Sequence, residues 1–200
     1  MVRRDHSVSH RDGVRIRATL VATILTALIV ALPAPTLAAV TYRQLIIAPP
    51  APTGAAVPYT KQAQLTFYGW PDNDPAHSAG IAFPGCKGTP TVCHDQAGGT
   101  GTWTNPLAAA APDGSITTGA RIYLAYLHKY VIIEDTCAGC TGVWLDIWVD
   151  GAGAPDQQVI DCESAATPAA KVSATFHPPS TLGVDKRPIF NVATERCAFG

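Results

Sequence analysis

The sequence predicts a mainly β fold, a small barrel of six short strands, and three observations carry that expectation. Apolar residues come in short β-branched and aromatic runs, such as "ARIYLAYL" (120–127) and "KYVIIEDTC" (129–137). No amphipathic stripe of 3.6-residue period and useful length appears, so long helices are not expected. Glycine and proline number 17 each in 200 residues, which suits short strands and tight turns.

Taken in order, residues 1–39 have the layout of a signal peptide. Arg3, Arg4, Arg11, Arg15 and Arg17 precede the apolar run "ATLVATILTALIVAL" (18–32), and Pro33, Pro35 and the small residues "TLAA" (36–39) follow it. The run is shorter than the ~20 residues that span a bilayer, so cleavage near Ala38 or Ala39 and export are expected, with no membrane association afterwards. Residues 40–61 read as a Pro-rich lead-in with a short strand at "RQLII" (43–47). Strands are expected at "QAQLTFYGW" (62–70), in a hairpin of 120–127 and 129–137 turning near His128 and Lys129, at "VWLDIWVDG" (143–151) and at "QQVIDCE" (157–163). Between them, "NPLAAAA" (105–111) reads as a short helix. The barrel domain is thus bounded at 62–165, and residues 166–200, with Pro168, Pro178, Pro179 and Pro188, form an irregular extension that wraps the surface and is held by Cys197.

Five of the 14 basic and two of the 15 acidic residues precede position 40, so the remainder carries a net charge of −4. Such a chain has no basic footprint for nucleic acid, and a neutral partner suits it better. All six cysteines, Cys86, Cys93, Cys137, Cys140, Cys162 and Cys197, follow the signal segment, and an even count in an exported chain implies disulfides of undetermined connectivity. "CAGC" (137–140) lacks the βαβ context of a redox pair and the partner ligands of a zinc site, so it reads as a staple before the next strand. "GGTGTW" (98–103) lacks the Lys-Ser/Thr ending of a phosphate loop, and its glycines fit close backbone approach instead. No G-x-S-x-G elbow is present.

Strand alternation puts Val143, Leu145, Ile147 and Val149 on one face and Trp144, Asp146, Trp148 and Asp150 on the other. A carboxylate between indoles is costly to bury unpaired, so the second face is expected to be an open groove. In "YVIIEDTC" the same rule sets Val131, Ile133 and Asp135 against Ile132 and Glu134, leaving Asp135 at the end of an apolar face. A carboxylate placed there can act as a general acid or accept hydrogen bonds from the turn that follows.

The segments "TFYGWPDNDP" (66–75), "GGTGTWTNPL" (98–107), "HKYVIIEDTCAGC" (128–140) and "WLDIWVDG" (144–151), in that order, resemble the double-psi β-barrel proteins. That superfamily includes expansins, barwin, rare lipoprotein A-like proteins, family-45 endoglucanases and a secreted papain inhibitor. The resemblance covers residues 62–165 and implies a six-stranded double-psi β-barrel. "TFYG" is similar to the expansin opening, which implies that Thr66 and Tyr68 line a polysaccharide groove. "EDTCAGC" places Asp135 at the fold's strand-end aspartate, and "WLDIW" places Asp146 at the carboxylate of the expansin "HFD" strand. Trp144 replaces the histidine of that strand, and the Asp-Cys-Cys of the glucanase opening is absent.

The expected function is that of a secreted, monomeric, expansin-like or rare lipoprotein A-like protein that binds or loosens cell-wall polysaccharide (cellulose, chitin or peptidoglycan) without hydrolysis. Thr66, Tyr68, Asp72, Trp144 and Trp148 are the candidate substrate-binding residues. A glycoside hydrolase or lytic transglycosylase using Asp135 and Asp146 is one alternative. The other is a protease inhibitor presenting "PGCKGTPTVC" (84–93) as a rigid loop. No cofactor and no metal are expected in any of these readings.

Overall fold

The computed structural model describes residues 56–86 and 93–198; the expected signal peptide (1–39) and the strand expected at 43–47 lie outside them. In chain order the elements are β1 (Tyr59–Tyr68), a 3-10 turn at Pro84–Cys86, β2 (Leu107–Ala111), β3 (Arg121–Leu124), β4 (Lys129–Thr136), β5 (Trp144–Trp148), α1 (Asp156–Ala166), β6 (Val172–Phe176), β7 (Phe190–Asn191) and β8 (Arg196–Cys197). The first six strands close into a barrel in the order β1-β5-β2-β4-β3-β6, and β7 with β8 forms a separate ribbon.

Two of the barrel's neighbouring pairs are parallel, β1 with β5 and β2 with β4. The others are antiparallel, including the expected hairpin of β3 and β4. Advancing every strand by three places, β1 to β4, β2 to β5 and β3 to β6, maps the ring onto itself and exchanges the two parallel pairs. Alternate residues of each strand point inward and fill the barrel: Leu65 and Phe67, Leu107 and Ala109, Ile122 and Leu124, Val131 and Ile133, Leu145 and Ile147 belong to one buried cluster.

Three elements differ from the expectation. The segment expected as the last strand is helix α1, whose buried residues Val159, Cys162 and Ala166 recur at helical spacing. Pro155 stands at its N-cap with φ −63°, and Gln, Glu and Ala favour the helix that follows. Val159 and Ile160 are β-branched and suit a strand locally, and a cysteine in the buried stripe masks its helical period.

The alanine run expected as a helix is strand β2, all five residues buried. It is an inner strand bonded to β4 on one side and β5 on the other, a tertiary setting that overrides alanine's helix propensity. The barrel also overruns its expected limits, since β1 begins at Tyr59 and β6, in the supposedly irregular extension, closes the ring between β1 and β3. Val172, Ala174 and Phe176 alternate inward there, a pattern hidden among flanking prolines.

Beyond β6 the chain does wrap the surface, pinned by Lys129 Nζ donating to the carbonyls of Asp185 and Arg187 and by the Tyr130 hydroxyl donating to that of Pro179. The six cysteines pair as Cys86–Cys93, Cys137–Cys140 and Cys162–Cys197, so "CAGC" is a staple and Cys197 anchors the C-terminal segment to α1. Among the described residues no helix is long and apolar enough to cross a membrane.

α1 meets the barrel through glycine. Gly151 has φ +105°, and a Cβ there would stand 2.6 Å from Val159 Cγ2. Gly151→Ala is therefore expected to destabilise the fold by about 2 kcal/mol or more, through strain and collision together. Urea unfolding followed by circular dichroism measures it, and a change within 0.5 kcal/mol would contradict this packing.

Candidate functional site: a carboxyl groove on the outer face of the barrel

The site is built on four adjacent strands. Thr66 of β1 pairs with Asp146 of β5, and Asp146 pairs with Ala110 of β2. Ala110 also pairs with Asp135 of β4, so the two aspartates flank one alanine. Neighbouring strands lie about 4.8 Å apart, which sets the two Cα atoms roughly 10 Å from each other. With only a methyl group between them, the two aspartates flank a buried alanine on one face of the barrel.

Simple alternation had put Asp135 on the face of Val131 and Ile133. The structure corrects this, because a bulge in β4 interrupts the register: Ala109 pairs with Ile133, but the next residue, Ala110, pairs with Asp135. Glu134 is the extra residue, and inserting it turns Asp135 to the outer face beside Tyr68 and Asp146. The bulge is clamped from within. Glu134 is fully buried; its Oε1 lies 2.7 Å from His94 Nδ1, and its Oε2 accepts the backbone N–H of His94. His94 Nε2 lies 2.8 Å from Asn105 Oδ1, and with acceptors at both ring nitrogens the hydrogen bond to Glu134 leads in raising the His94 pKa, against the opposing effect of burial.

Asp135 is held as an acceptor. Its Oδ1 takes the backbone N–H groups of Ala82 and Thr136 at 2.9 and 2.8 Å, and its Oδ2 takes the Tyr68 hydroxyl at 3.2 Å. Burial first, then the charge and hydrogen bond of Asp135, raise the Tyr68 pKa well above the usual phenol value, so Tyr68 remains a donor. Asp146 sits in a relay in which Trp144 Nε1–H donates to Thr66 Oγ1 and Thr66 donates to Asp146 Oδ1, each at 2.8 Å. Burial pushes the Asp146 carboxyl up to about 6, opposed by the Thr66 hydrogen bond and assisted by the charges of Asp72 and Asp135.

Two members were not foreseen. Glu163 of α1, only 6% exposed, stands behind Asp72, and burial, followed by the charges of Asp72 and Asp146, pushes its carboxyl up to about 8. At neutral pH it is therefore protonated and can donate to Asp72. Gly69 makes room for it, since a Cβ there would lie 2.8 Å from Glu163 Oε1 and 2.6 Å from the carbonyl oxygen of Asp150. Gly69 N–H in turn donates to Asp72 Oδ1 at 2.8 Å, which turns the loop after β1 back over the groove. The signal for Glu163 is its place in the buried stripe of α1, four residues after Val159. The second is Trp70, half-buried against the cluster of Tyr68, Ala108, Ala110 and Trp148.

All seven predicted site residues, Thr66, Tyr68, Asp72, Asp135, Trp144, Asp146 and Trp148, lie on or beside this outer face. The expectation that the face is open holds in part. Asp72 is exposed, and Asp135, Trp144 and Asp146 are half-buried, but Trp148 is 3% and Tyr68 7% exposed. Trp148 meets Tyr68 edge to face with ring centroids 5.3 Å apart and supports the floor, so it is not a free stacking surface. A cavity of about 360 Å³ opens beside it, lined in part by Trp70, Gly98, Gly99 and Asp150. Cys86, Cys93 and Glu134 come together closely enough for a metal, but the two sulfurs are joined in a disulfide and offer no thiolate.

The raised carboxyls fix a sign for the pH dependence of stability. Asp146 and Glu163 titrate near 6 and 8 in the fold against 3.8 and 4.5 for the unfolded groups, so the folded chain holds more protons in between. Their contribution is fully present below the unfolded values and is lost as pH rises through 6 and then 8. Thermal midpoints are expected to fall from pH 5 to pH 9, and Glu163→Gln is expected to flatten the upper part of that fall. A wild-type profile that rises over this range would contradict the assignment. Carboxyl-carbon NMR of Thr66→Val is expected to show Asp146 titrating higher still, because the variant removes the one hydrogen bond that favours its anion.

Comparison with known proteins adds a lineage. The family described as "DDB_G0273701 N-terminal domain" matches residues 60–198. An uncharacterized protein of Dictyostelium discoideum is 35% identical over 141 residues, 67% of this chain and 58% of the relative, so the match spans little more than half of that protein's length. No solved structure matches. With the family matched from the start of β1 to the end of β8, the chain belongs to the DDB_G0273701 N-terminal domain family.

Proposed function

We propose that the chain is an extracellular, polysaccharide-binding barrel that holds a neutral glycan along the groove between Asp135 and Asp146. The observation that carries the reading is the pairing of both aspartates with Ala110, which sets two carboxyls, a tyrosine hydroxyl and the Trp144–Thr66 relay on one face of the barrel. Such a face offers acceptors and donors to sugar hydroxyls, and the half-buried rings of Trp144 and Trp70 offer stacking surfaces. Pairing of all six cysteines supports an oxidising compartment and, with it, export through residues 1–39. The three-place symmetry of the strand order supports the double-psi reading of the barrel and its likeness to expansins and rare lipoprotein A-like proteins. Cellulose, chitin and peptidoglycan are the polymers this reading brings forward.

One observation favours a second reading, cleavage of the bound glycan. Asp146, pushed up to about 6, is suited to donate a proton in mildly acidic medium, and Asp135 lies two strands over, across Ala110 of β2, as an acceptor. A spacing of this order fits an acid and base on opposite sides of a glycosidic bond, about 6.5–9.5 Å apart, better than the about 5–5.5 Å of a nucleophilic pair. The protease-inhibitor reading rests on a loop of which residues 87–92 lie outside the described part of the chain.

Depletion of the purified protein onto insoluble cellulose, chitin and peptidoglycan, with and without Asp146→Asn, tests the binding reading. Wild type is expected to be retained on at least one polymer and Asp146→Asn to lose about tenfold in affinity, as befits a charged hydrogen-bonding group. Trp144→Ala is expected to cost about 1 kcal/mol of binding through lost stacking. Retention on none of the three polymers would overturn the reading. Release of reducing ends or anhydro-sugars by wild type, absent in Asp146→Asn and Asp135→Asn, would establish cleavage.

A further inference from the structure

A second cavity, of about 550 Å³, is lined by none of Thr66, Tyr68, Asp135 and Asp146. Its wall includes Lys61, five residues before Thr66, the β1 partner of Asp146, and so about 17 Å along the strand from that pair, while Thr117 and Thr118 of the same wall also border a smaller cavity lined by Asp135. Its chemistry is the reverse of the groove's. Lys61 and Arg121 line it, and among the described residues no aspartate or glutamate does. Among the described residues neither cation makes a salt bridge.

Arg121 is placed at a cost. Its guanidinium lies over the Trp103 ring, 4.0 Å from the centroid, and its Nε is buried with no hydrogen-bond partner. Burial lowers its pKa from the ordinary guanidinium value, a sign of incomplete compensation. Contact with the indole offsets part of the lost hydration, but a desolvated cation without an acceptor is stabilised further by an anion.

The other wall is aromatic. Tyr59 and Phe176 stack with centroids 5.0 Å apart and planes 2° from parallel, and Lys61 Nζ stands 5.6 and 5.7 Å from the two ring centres. Tyr59 keeps 44% of its surface exposed, so its ring is accessible. Thr117 and Thr118 of the turn before β3 add hydroxyls to the rim. A volume of this size is that of a small-molecule site, and two unpaired cations beside flat rings select for charge and shape together.

We propose that this cavity binds a small organic anion with a carboxylate on a planar ring, the carboxylate held by Arg121 and Lys61 and the ring laid against Tyr59. The site shares no lining residue with the glycan groove and does not depend on what that groove does.

Isothermal titration with benzoate, benzamide and acetate tests it on the whole protein. Benzoate is expected to bind saturably, with benzamide, lacking the charge, and acetate, lacking the ring, each about tenfold weaker or more. Trp103 lies under Arg121, so benzoate is also expected to change the tryptophan emission of wild type but not of Trp103→Phe. Arg121→Gln and Lys61→Gln are each expected to weaken benzoate at least about fivefold, while Asp146→Asn leaves it unchanged. Lys61 is exposed, so Lys61→Gln decides the matter even if Arg121→Gln does not fold. No saturable binding of benzoate up to about 10 mM, equal binding of benzamide, or full binding by folded Lys61→Gln would each overturn the proposal.

Discussion

The groove depends on one inserted residue. Without the bulge at Glu134, strand alternation would leave Asp135 on the inward face with Ile133, where a carboxyl would meet the apolar filling of the barrel. The insertion is stable because its own side chain is satisfied. A fully buried carboxyl is tolerated only when paired, and His94 supplies both a ring nitrogen and a backbone N–H, with Asn105 fixing the far side of the imidazole. The Cys86–Cys93 link ends immediately before His94, so the loop bearing the clamp is tied back at the residue where the clamp begins. Local covalent chemistry, a buried hydrogen-bonded carboxyl and the direction of a surface aspartate thus form one chain of dependence.

Small residues decide the rest of the site's shape. Ala110 has no side chain long enough to separate the two aspartates, and the alanines of β2 let the strand pack between β4 and β5 with both faces buried. Gly69 admits the Glu163 carboxyl against the end of β1, and Gly151 admits Val159 of α1. The helix therefore serves the groove as well as the core: it presents Val159, Cys162 and Ala166 to the apolar cluster and Glu163 to Asp72. Its link to Cys197 then fastens the C-terminal ribbon to the same helix.

Charge is distributed with a polarity that follows β1. At its C-terminal end Asp72, Asp135, Asp146 and Glu163 crowd together, and their mutual repulsion, added to burial, keeps protons on two of them under mildly acidic conditions. Toward its N-terminal end Lys61 and Arg121 stand among aromatic rings without a counter-ion among the described residues. An acidic face and a cationic aromatic cavity thus stand on one small barrel.

Much of this was legible in the sequence, for reasons local to the chain. The period of two in "VWLDIWVDG" is a property of any strand, so Leu145 and Ile147 inside and Asp146 outside followed from it directly, as did the hairpin of β3 and β4. The count and spacing of cysteines announced disulfides, but their pairing depended on which distant segments meet, and Cys162 finds Cys197 only because α1 packs beside the β7–β8 ribbon. Tertiary structure decided what local propensity got wrong. Alanine favours a helix until two neighbouring strands claim its backbone, and "QQVIDCE" looks extended until Pro155 and the buried stripe of Val159, Cys162 and Ala166 make it helical. The resemblance placed Asp135 and Asp146 on one groove with Tyr68, but a bulge leaves no mark in composition, so neither the register shift that turns Asp135 there nor the burial of Trp148 beneath Tyr68 could be read in advance. The residue types of the site are written in the sequence, but their assembly on one face is set by strand register, a long-range property of the closed barrel.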